Sequence, residues 1–539
     1  MKQKIEIFDS TLRDGAQAEG ISFSVQDKLK ILQTLDELGV SYVEAGNPGS
    51  NPKDLEFFRR AENLELKHAK LAAFGSTRRW GITAEEDNNV QSMLKANTPV
   101  AVIFGKSWDF HVTDIIRTTL SENLAMIKDT VAFFCKHGKE VIYDAEHFFD
   151  GYKTNPEYAL QSLQAGYEGG ANCLVLCDTN GGVMPFEIYN ITQEVVSKFP
   201  EVKIGIHTHN DSGMAEANTL MGVEAGATHV QGTFVGFGER CGNANISVCV
   251  PTLQVKKGYD CIPDESMRRL THEARKIAEI ANISIPHGMP YVGKSAFTHK
   301  GGMHIDGVSK NSTSFEHMDP SVVGNERRML MSEVAGRSMV LKRIHKISPE
   351  LTKDSPETKA ILARLKKLEM DGYQFEGADS SFDLVIRKHL GKYTPFFELD
   401  HFKVIGEQPA VEEGLSSTAM IKIMVSGKKE ITAAQGDGPV NALDRALRKA
   451  LEVFYPVLKD VYLTDYKVRV LDRKEASAAR VRVLIESTDG EESWTTVGVS
   501  TDIIDASWIA LVDSIEYKLL KDTINLHDPG FSENESPNQ

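Results

Sequence analysis

The sequence has 539 residues, of which 41% are hydrophobic and 25% are charged, a balance typical of globular proteins. Its formal net charge of -15 leaves no basic surplus to neutralise phosphates, and it has no apolar run of about 18 residues, so we expect neither nucleic-acid binding nor a membrane span. The length exceeds that of one domain and predicts two or three.

The chain starts with residues 1–10, MKQKIEIFDS, which lead straight into a strand rather than into an apolar signal segment. We therefore expect a cytoplasmic protein. The cysteines contain no CxxC pair and fall in apolar or strand-like contexts, which predicts reduced, mostly buried thiols rather than structural zinc sites. They are Cys135, Cys173, Cys177, Cys241, Cys249 and Cys261.

Residues 1 to about 260 alternate short β-type runs with longer amphipathic ones. The first amphipathic run reads as a helix that Ser24 and Asp27 cap and Gly39 ends. Eight strand-helix units predict a (β/α)8 TIM barrel; an open doubly wound sheet is the alternative, but no glycine-rich dinucleotide turn follows the first strand. The predicted strands are residues 5–8, 42–45, 71–74, 100–104, 141–143, 174–177, 204–207 and 229–233.

Polar side chains recur where these strands end, which is where a TIM barrel builds its chemistry. The candidates are Asp9, Arg13 and Asp14 after strand one; Glu44 at strand two; Asp144, Glu146 and His147 after strand five; Asp178, Thr179 and Asn180 after strand six; His207 and His209 at strand seven; and Glu239, Arg240 and Asn243 after strand eight.

A divalent metal site is the strongest prediction from these positions. His207 and His209 stand two apart in an extended segment, so both imidazoles project to the same side. Alone, such a pair is more often structural, but Asp14 and Asn243 add a carboxylate and an amide oxygen. This mixed set suits Zn²⁺, Mn²⁺, Co²⁺ or Mg²⁺ without choosing among them, and it leaves room for a bidentate ligand.

The neighbouring candidates each have a structural and a functional interpretation. Arg13 either pairs with Asp14 or binds a substrate carboxylate or a developing alkoxide. Glu146 caps the next helix or pairs with Arg13, or it is a catalytic or water-orienting carboxylate. Thr179 caps a helix or donates a hydrogen bond to a substrate carboxylate. Outside the barrel, residues 297–307 (FTHKGGMHIDG) form either a ligand-contacting loop or a polar hinge.

Four motifs in order, FDSTLRDGAQ, GIHTHND, GERCGNA and THKGGMH, resemble the metal-dependent acyl-transferring TIM barrels, namely the 2-isopropylmalate, homocitrate and citramalate synthases. The runs LRDGAQAEGISFSVQDKL, NPGSNPKD and FGKSWDFHV are more narrowly similar to the citramalate synthase branch, and the resemblance extends to about residue 525. LRDG alone would be shared with lyases and biotin-dependent carboxyl transferases.

The resemblance implies roles for individual residues. His304 matches a histidine that the linker region contributes to the partner subunit's site, and it is our candidate base, coupled to Glu146. The family often has a tyrosine about ten residues later, where this chain has Ser314-Phe315. The other implied roles are metal ligation by Asp14, His207 and His209, with Asn243 as an additional or water-mediated ligand, and substrate contact by Arg13, Glu146 and Thr179. Beyond the resemblance, we expect substrate contact by Tyr143 and acetyl-CoA contact by Gln17 and Glu44.

The implied reaction is the condensation of acetyl-CoA with pyruvate to (R)-citramalate and CoA, the first step of threonine-independent isoleucine synthesis. The bulky side chains of Tyr143 and Phe104 favour the smaller oxo acid. The alternatives are a 2-isopropylmalate synthase that uses 2-oxoisovalerate, since one or two pocket residues decide this choice, and a catalytically silent regulatory homologue.

The C-terminal part contains an internal repeat, because residues 433–447 (AAQGDGPVNALDRAL) and 497–511 (VGVSTDIIDASWIAL) both read as strand, turn and helix. It resembles the regulatory domain of the same family, with isoleucine as the expected inhibitor. The turn Gly436-Asp437-Gly438 offers backbone N–H groups to an amino-acid carboxylate. A dimerisation domain without an effector is the alternative. We therefore expect a homodimer with a barrel (1–265), helical linker subdomains (266–394), a regulatory domain (395–525) and a disordered tail (526–539).

Overall fold

A computed structural model describes residues 2–49, 51–329, 337–375, 377–407, 416–471, 479–490 and 492–527 of the chain. The chain forms two compact units. The first comprises the chain up to residue 298 together with residues 316–328, and the second comprises residues 299–315 and the chain from residue 329 onward. The first two residues of the predicted disordered tail (526–539) belong to the last helix, which ends at His527, and its remaining residues lie outside the described ranges. Within the described ranges, no helix has the length and apolar character needed to cross a membrane.

The first unit contains a closed barrel of eight parallel strands in sequence order, which confirms the predicted TIM barrel. The strands begin and end close to their predicted bounds. They are β1 (Glu6–Asp9), β2 (Tyr42–Glu44), β3 (Lys70–Ser76), β4 (Val100–Lys106), β5 (Glu140–Glu146), β6 (Cys173–Asp178), β7 (Lys203–Thr208) and β8 (His229–Gly232).

Helices connect the strands and continue past the barrel. The first of them begins and ends as predicted: the Ser24 hydroxyl accepts from the backbone N–H of Asp27 at 3.2 Å, and Gly39 takes a left-handed φ of 94°. The helices are α1 (Val25–Leu38), α2 (Pro52–Ala61), α3 (Asn88–Lys95), α4 (Leu120–Lys136), α5 (Phe148–Thr154), α6 (Pro156–Gly169), α7 (Pro185–Lys198), α8 (Ala215–Glu224), α9 (Ile246–Pro251), α10 (Asp264–Met267) and α11 (Leu270–Ile280).

The barrel interior is filled by side chains from alternate strand positions. Because strand side chains alternate between faces, Ile142 in the interior implies that Asp144 and Glu146 also face inward at the carboxyl end of β5. Tyr143 then faces the helices. The interior cluster consists of Phe8, Tyr42, Ala72, Val100, Val102, Ile142, Cys173, Val175 and Cys177.

The second unit contains two three-stranded antiparallel sheets, each formed by three strands that follow one another in the chain. Two-residue strands β9 (Thr298–His299) and β10 (Arg328–Met329) fall where the chain passes between the units. The elements of the second unit are α12 (Gly302–Lys310), α13 (Arg337–Ile347), α14 (Pro356–Met370), α15 (Asp379–His389), β11 (Glu398–Gly406), β12 (Ser417–Val425), β13 (Lys428–Gly436), α16 (Pro439–Leu451), β14 (Tyr462–Val470), β15 (Val481–Thr488), β16 (Ser493–Ser500) and α17 (Ile503–His527).

The predicted internal duplication is confirmed, because each sheet is followed at once by a helix. β13 leads into α16 and β16 leads into α17 across short turns. The two halves also bring the helix close to a strand glycine. A Cβ on Gly436 would lie 2.5 Å from the backbone nitrogen of Ala442, and a Cβ on Gly498 would lie 2.0 Å from the carbonyl oxygen of Ala506. Only glycine permits these close contacts.

Candidate metal centre and active site

Three buried side chains converge at the carboxyl end of the barrel. β7 carries His207, His209 follows it directly, and Asp14 lies in the turn after β1. The Nε2 atom of His207 lies 3.3 Å from Nε2 of His209 and 3.7 Å from Oδ2 of Asp14. The ligand atoms of the three residues all lie within 4.8 Å of one another. Such convergence of two imidazole nitrogens and a carboxylate fits a small cation.

The protonation states of Asp14 and His209 also suit metal binding. Burial acts to raise the pKa of Asp14, but the charges of Arg13 and the two histidines lower it to about 2. Burial and the neighbouring His207 lower the pKa of His209 to about 4. At neutral pH the carboxylate is therefore charged and the His209 imidazole is neutral, which are the forms that ligate metals.

Asn243 lies in the same cluster, as the sequence predicts. Its amide nitrogen donates to Oδ1 of Asp14 at 3.0 Å and to the carbonyl oxygen of Phe237 at 3.1 Å. Its Oδ1 atom is buried and has no hydrogen-bond partner among the described residues. A buried acceptor left in this state fits a cation or a water molecule bound to one. A divalent cation thus fits the donor set, which does not choose among Zn²⁺, Mn²⁺, Co²⁺ and Mg²⁺.

Arg13 lies beside the cluster and is held on three sides. Its Nε donates to Oε2 of Glu44 at 2.7 Å, one terminal nitrogen donates to Oδ2 of Asp14 at 3.0 Å, and its guanidinium carbon lies 3.8 Å from the centre of the Phe74 ring. Arg13 therefore does pair with Asp14. The same contacts fix the planar guanidinium, which stays 13% exposed, in one orientation beside the candidate ligands.

Two predicted acetyl-CoA contacts have different environments. Glu44 is fully buried beneath Arg13, where it also accepts a hydrogen bond from the Ser10 hydroxyl. This position supports a role in holding Arg13 and does not support the predicted contact with acetyl-CoA. Gln17 is exposed at the end of the short 3₁₀ turn Gly15–Gln17, so its side chain remains available to a ligand.

The predicted substrate contact of Tyr143 is not supported. Its ring is fully buried in the layer between the barrel and the helices, close enough to α6 that a Cβ on Gly166 would lie 2.7 Å from it. Its hydroxyl lies 3.4 Å from that of Ser107. Asp144, the next residue, faces the barrel interior instead. Burial and the Glu44 charge raise the pKa of Asp144 to about 8.

Glu146 faces the barrel mouth but pairs with a residue that the sequence reasoning missed. Lys106, the last residue of β4, donates to Oε2 of Glu146. The alternatives of a pair with Arg13 and a helix cap are therefore not realised. Inward alternation along β4 through Val102 could have revealed Lys106. The same rule along β8 could have revealed Gln231, whose amide joins His207 to Asp144.

Thr179 supports the strand-five loop rather than a helix end. Its hydroxyl accepts from the backbone N–H of His147 at 2.9 Å, while α7 begins only at Pro185. His147 takes a left-handed conformation, with φ 56° and ψ 33°, which is strained for a residue other than glycine. Arg240 donates to the carbonyl oxygen of Thr179 at 2.8 Å. Thr179 therefore lies at the mouth with its hydroxyl proton able to face a ligand.

The remaining predicted residues belong to the second unit. His304 lies on α12, and its ring stacks on Phe315 with centroids 4.1 Å apart and an interplanar angle of 19°. In the turn between β13 and α16, the backbone N–H of Asp437 donates to the side-chain oxygen of Asn441 at 3.3 Å, so this N–H is already engaged.

Comparison with known proteins places the chain in a family. Residues 4–283 match the HMGL-like family model, residues 291–372 the homocitrate synthase post-HMGL domain-like model, and residues 376–519 the LeuA allosteric (dimerisation) domain model. Five curated relatives named (R)-citramalate synthase are 43% to 52% identical to it. That from Aquifex aeolicus is 52% identical, with 97% of this chain and 99% of the relative covered.

More distant matches are also found. A probable 2-isopropylmalate synthase from Methanopyrus kandleri is 32% identical, over 96% of this chain and 98% of the relative. A solved HMG-CoA lyase from Bacillus subtilis matches 53% of this chain and 96% of its own, at 22% identity and a TM-score of 0.46. Because the chain is 43% to 52% identical to these (R)-citramalate synthases over nearly its full length, it belongs to their family. It is therefore an enzyme of the acetyl-CoA-condensing transferase type.

Proposed function

We propose that the protein condenses acetyl-CoA with pyruvate and hydrolyses the thioester to give (R)-citramalate and CoA. The observation that carries this proposal is the convergence of Asp14, His207 and His209 beside a fixed Arg13. The higher identity to (R)-citramalate synthases, 52% against 32% for the 2-isopropylmalate synthase, supports pyruvate as the acceptor.

Arg13 would stabilise the charge that develops when the new bond forms. A divalent cation held by Asp14, His207 and His209 would supply Lewis acidity toward the oxo acid. As the acetyl carbanion attacks C2 of pyruvate, the carbonyl electron pair moves onto oxygen. The guanidinium of Arg13 lies next to the candidate ligands and is fixed by Glu44, so it offers a preorganised positive charge to that oxygen.

Two further groups complete the proposed reaction. A base must take a proton from the acetyl methyl group, and His304 is the candidate. It belongs to the second unit, and its delivery from the partner chain of a homodimer, which the family resemblance implies, forms part of the proposal. The alkoxide takes up a proton to become the tertiary hydroxyl, water adds to the thioester carbonyl, the CoA thiol leaves and a carboxylate forms. Glu146, held at the mouth by Lys106, is the candidate to orient that water.

The test is a measurement of CoA release with pyruvate, 2-oxoisovalerate and 2-oxoglutarate in turn, with chiral analysis of the product. We expect kcat/KM for pyruvate to exceed that for 2-oxoisovalerate by about 10²-fold, because two extra methyl groups are worth several kcal/mol in a closed pocket. An equal or greater rate with 2-oxoisovalerate would overturn the pyruvate assignment in favour of a 2-isopropylmalate synthase.

Metal removal separates both enzymes from a silent regulatory homologue. We expect a strong chelator to abolish CoA release and added Mn²⁺, Zn²⁺, Co²⁺ or Mg²⁺ to restore it, and the ion that restores it best identifies the metal. A chain that releases CoA with none of the three oxo acids under any of these ions would be the silent homologue.

Placement in isoleucine synthesis, with feedback inhibition by isoleucine, is part of the same proposal. The match of residues 376–519 to an allosteric and dimerisation domain supports it, and the effector would bind near Gly436, Asp437 and Gly438. Isoleucine should lower CoA release while leucine does not, and light scattering should give twice the chain mass.

All six cysteines are free, which supports the cytoplasm as the compartment.

A further inference from the structure

Gln231 links the candidate metal site to a carboxyl group deeper in the barrel. It is fully buried on β8, where its side chain points into the barrel between two polar partners. Its Oε1 lies 2.8 Å from Nδ1 of His207, and its Nε2 donates to Oδ1 of Asp144 at 3.0 Å. The three side chains therefore form a hydrogen-bonded chain across β5, β7 and β8.

The position of the His207 proton decides whether this residue can bind a metal. A neutral imidazole carries one proton, and the nitrogen that faces the cluster, Nε2, must keep a lone pair to act as a ligand. The proton must then reside on Nδ1, which is buried and needs an acceptor. The side-chain oxygen of Gln231 is that acceptor.

Asp144 determines which end of the Gln231 amide faces His207. An amide rotated by half a turn would direct its NH2 group at Nδ1 and favour the tautomer with the proton on Nε2, which cannot ligate. The oxygen of Asp144 gives the NH2 group a partner on the opposite side and so opposes that rotation. Oδ1 can accept this bond even when a carboxyl proton is present on Oδ2.

His209 has no residue that plays the part Gln231 plays for His207. Its Nδ1 atom is buried and has no hydrogen-bond partner among the described residues. The two histidines thus contribute the same Nε2 atom, but only His207 has its tautomer fixed by a side chain. Groups that accept the second ring proton of a metal-bound histidine orient the ring and raise its basicity.

We propose that Gln231, oriented by Asp144, is a positioning residue that holds His207 in its metal-binding tautomer. This inference rests on the proposed function insofar as His207 is taken as a metal ligand. Gln231 is fully buried and acts through His207, so a contact with the substrate forms no part of this role. Its loss should therefore weaken metal binding more than it lowers turnover at saturating metal.

The experiment measures the affinity of the metal-free protein for Zn²⁺ by competition with a chromophoric chelator, together with the visible spectrum of the Co²⁺ form. Gln231→Met removes both hydrogen bonds at similar volume. The matched control is Gln254→Met, because Gln254 is also buried and bonded, to Asp264 and the backbone near Cys261, within the same unit. Gln231→Glu keeps an acceptor for His207 and tests rescue.

We expect Gln231→Met to weaken Zn²⁺ binding by about 10- to 100-fold and to change the Co²⁺ bands, with Gln254→Met near wild type and Gln231→Glu largely restored. Wild-type affinity in Gln231→Met, or an equal loss in Gln254→Met, would overturn the proposal. If the wild type binds Zn²⁺ but forms no citramalate from pyruvate, the proposed function fails, while the order of affinities among the variants still decides the role of Gln231.

Discussion

The two ends of the barrel both place histidine and carboxylate side chains near the axis, but they arrange them in opposite ways. At the carboxyl end, Asp14, His207 and His209 direct their ligand atoms toward one another. The oxygen of Asn243 there is left buried without a hydrogen-bond partner among the described residues. A single bound cation would interact with all of these converging atoms.

At the amino end, each carboxylate has a partner of its own. Lys203 binds Oε1 of Glu6 at 2.6 Å, and Glu140 accepts from Lys70 at 2.6 Å and from the Tyr42 hydroxyl at 2.7 Å. His229 at this end is also buried with neither ring nitrogen hydrogen-bonded among the described residues, and its Nδ1 lies 3.6 Å from Oε2 of Glu6. The carboxyl end differs in that three ligand atoms converge there, whereas the carboxylates of the amino end are each paired with a lysine. This agrees with the division of labour between the two ends of a TIM barrel.

The largest expected effect comes from removing a converging ligand. Asp14→Ala and His207→Ala should each lower kcat/KM by roughly 10³-fold or more, because a bound cation supplies several kcal/mol of charge stabilisation. Zn²⁺ affinity, measured by chelator competition, should fall with it. Glu6→Gln, at the other end, should leave kcat/KM near wild type. Near-wild-type turnover in either Ala variant with added metal would contradict the ligand assignment.

A somewhat smaller effect is expected from Arg13→Lys. Lysine keeps the charge but loses the planar group that bonds Glu44 and lies against Phe74, so kcat should fall by about 10²-fold, the effect typical of losing one oriented donor. Steady-state kinetics at saturating metal tests this, with Zn²⁺ affinity as the control. A loss confined to metal affinity, with kcat unchanged, would mean that Arg13 only supports Asp14.

The barrel and most of its mouth could be predicted from the sequence because periodicity and strand ends are local signals. Asp14, His207 and His209 were found in this way. Tyr143 was misplaced for a definite reason: β5 extends to Glu146, three residues beyond its predicted end, and the alternation set by Ile142 directs Tyr143 to the helices.

Other contacts depend on residues distant in sequence. Gln231 and Asp144 are 87 positions apart, and Lys106 and Glu146 are 40 apart, so no local pattern reports either pair. The pairing of His304 with Phe315 was likewise not anticipated, although the absence of a tyrosine there was noted. Phe315 covers the His304 ring but has no hydroxyl, so it can orient the imidazole without exchanging a proton.

A specificity change should be smaller than the loss of a ligand. Phe74 and Phe104 stack at the mouth with centroids 5.0 Å apart, and Phe74 also contacts Arg13. Phe104→Ala should enlarge the space beside Arg13 and shift the ratio of kcat/KM for 2-oxoisovalerate over pyruvate upward by about 10-fold or more. Both oxo acids are assayed by CoA release. An unchanged ratio would show that Phe104 does not border the acceptor side chain.

The smallest effect belongs to the amino end and appears as stability against pH. Burial acts to raise the pKa of Glu6, but its contacts with His229 and Lys203 outweigh this and lower it from 4.5 to about 2. A carboxyl group whose folded pKa is depressed stabilises the protein above its unfolded pKa and loses this contribution as pH falls toward the folded value.

Glu6→Gln should therefore lower the thermal midpoint by about 2 °C at pH 7, and the difference from wild type should shrink as pH falls below about 4.5. Thermal melts from pH 7 to pH 3 test this, with Glu56→Gln, at an exposed helix pair, as the control. A difference that stays constant with pH would mean that Glu6 stabilises the barrel through packing rather than charge.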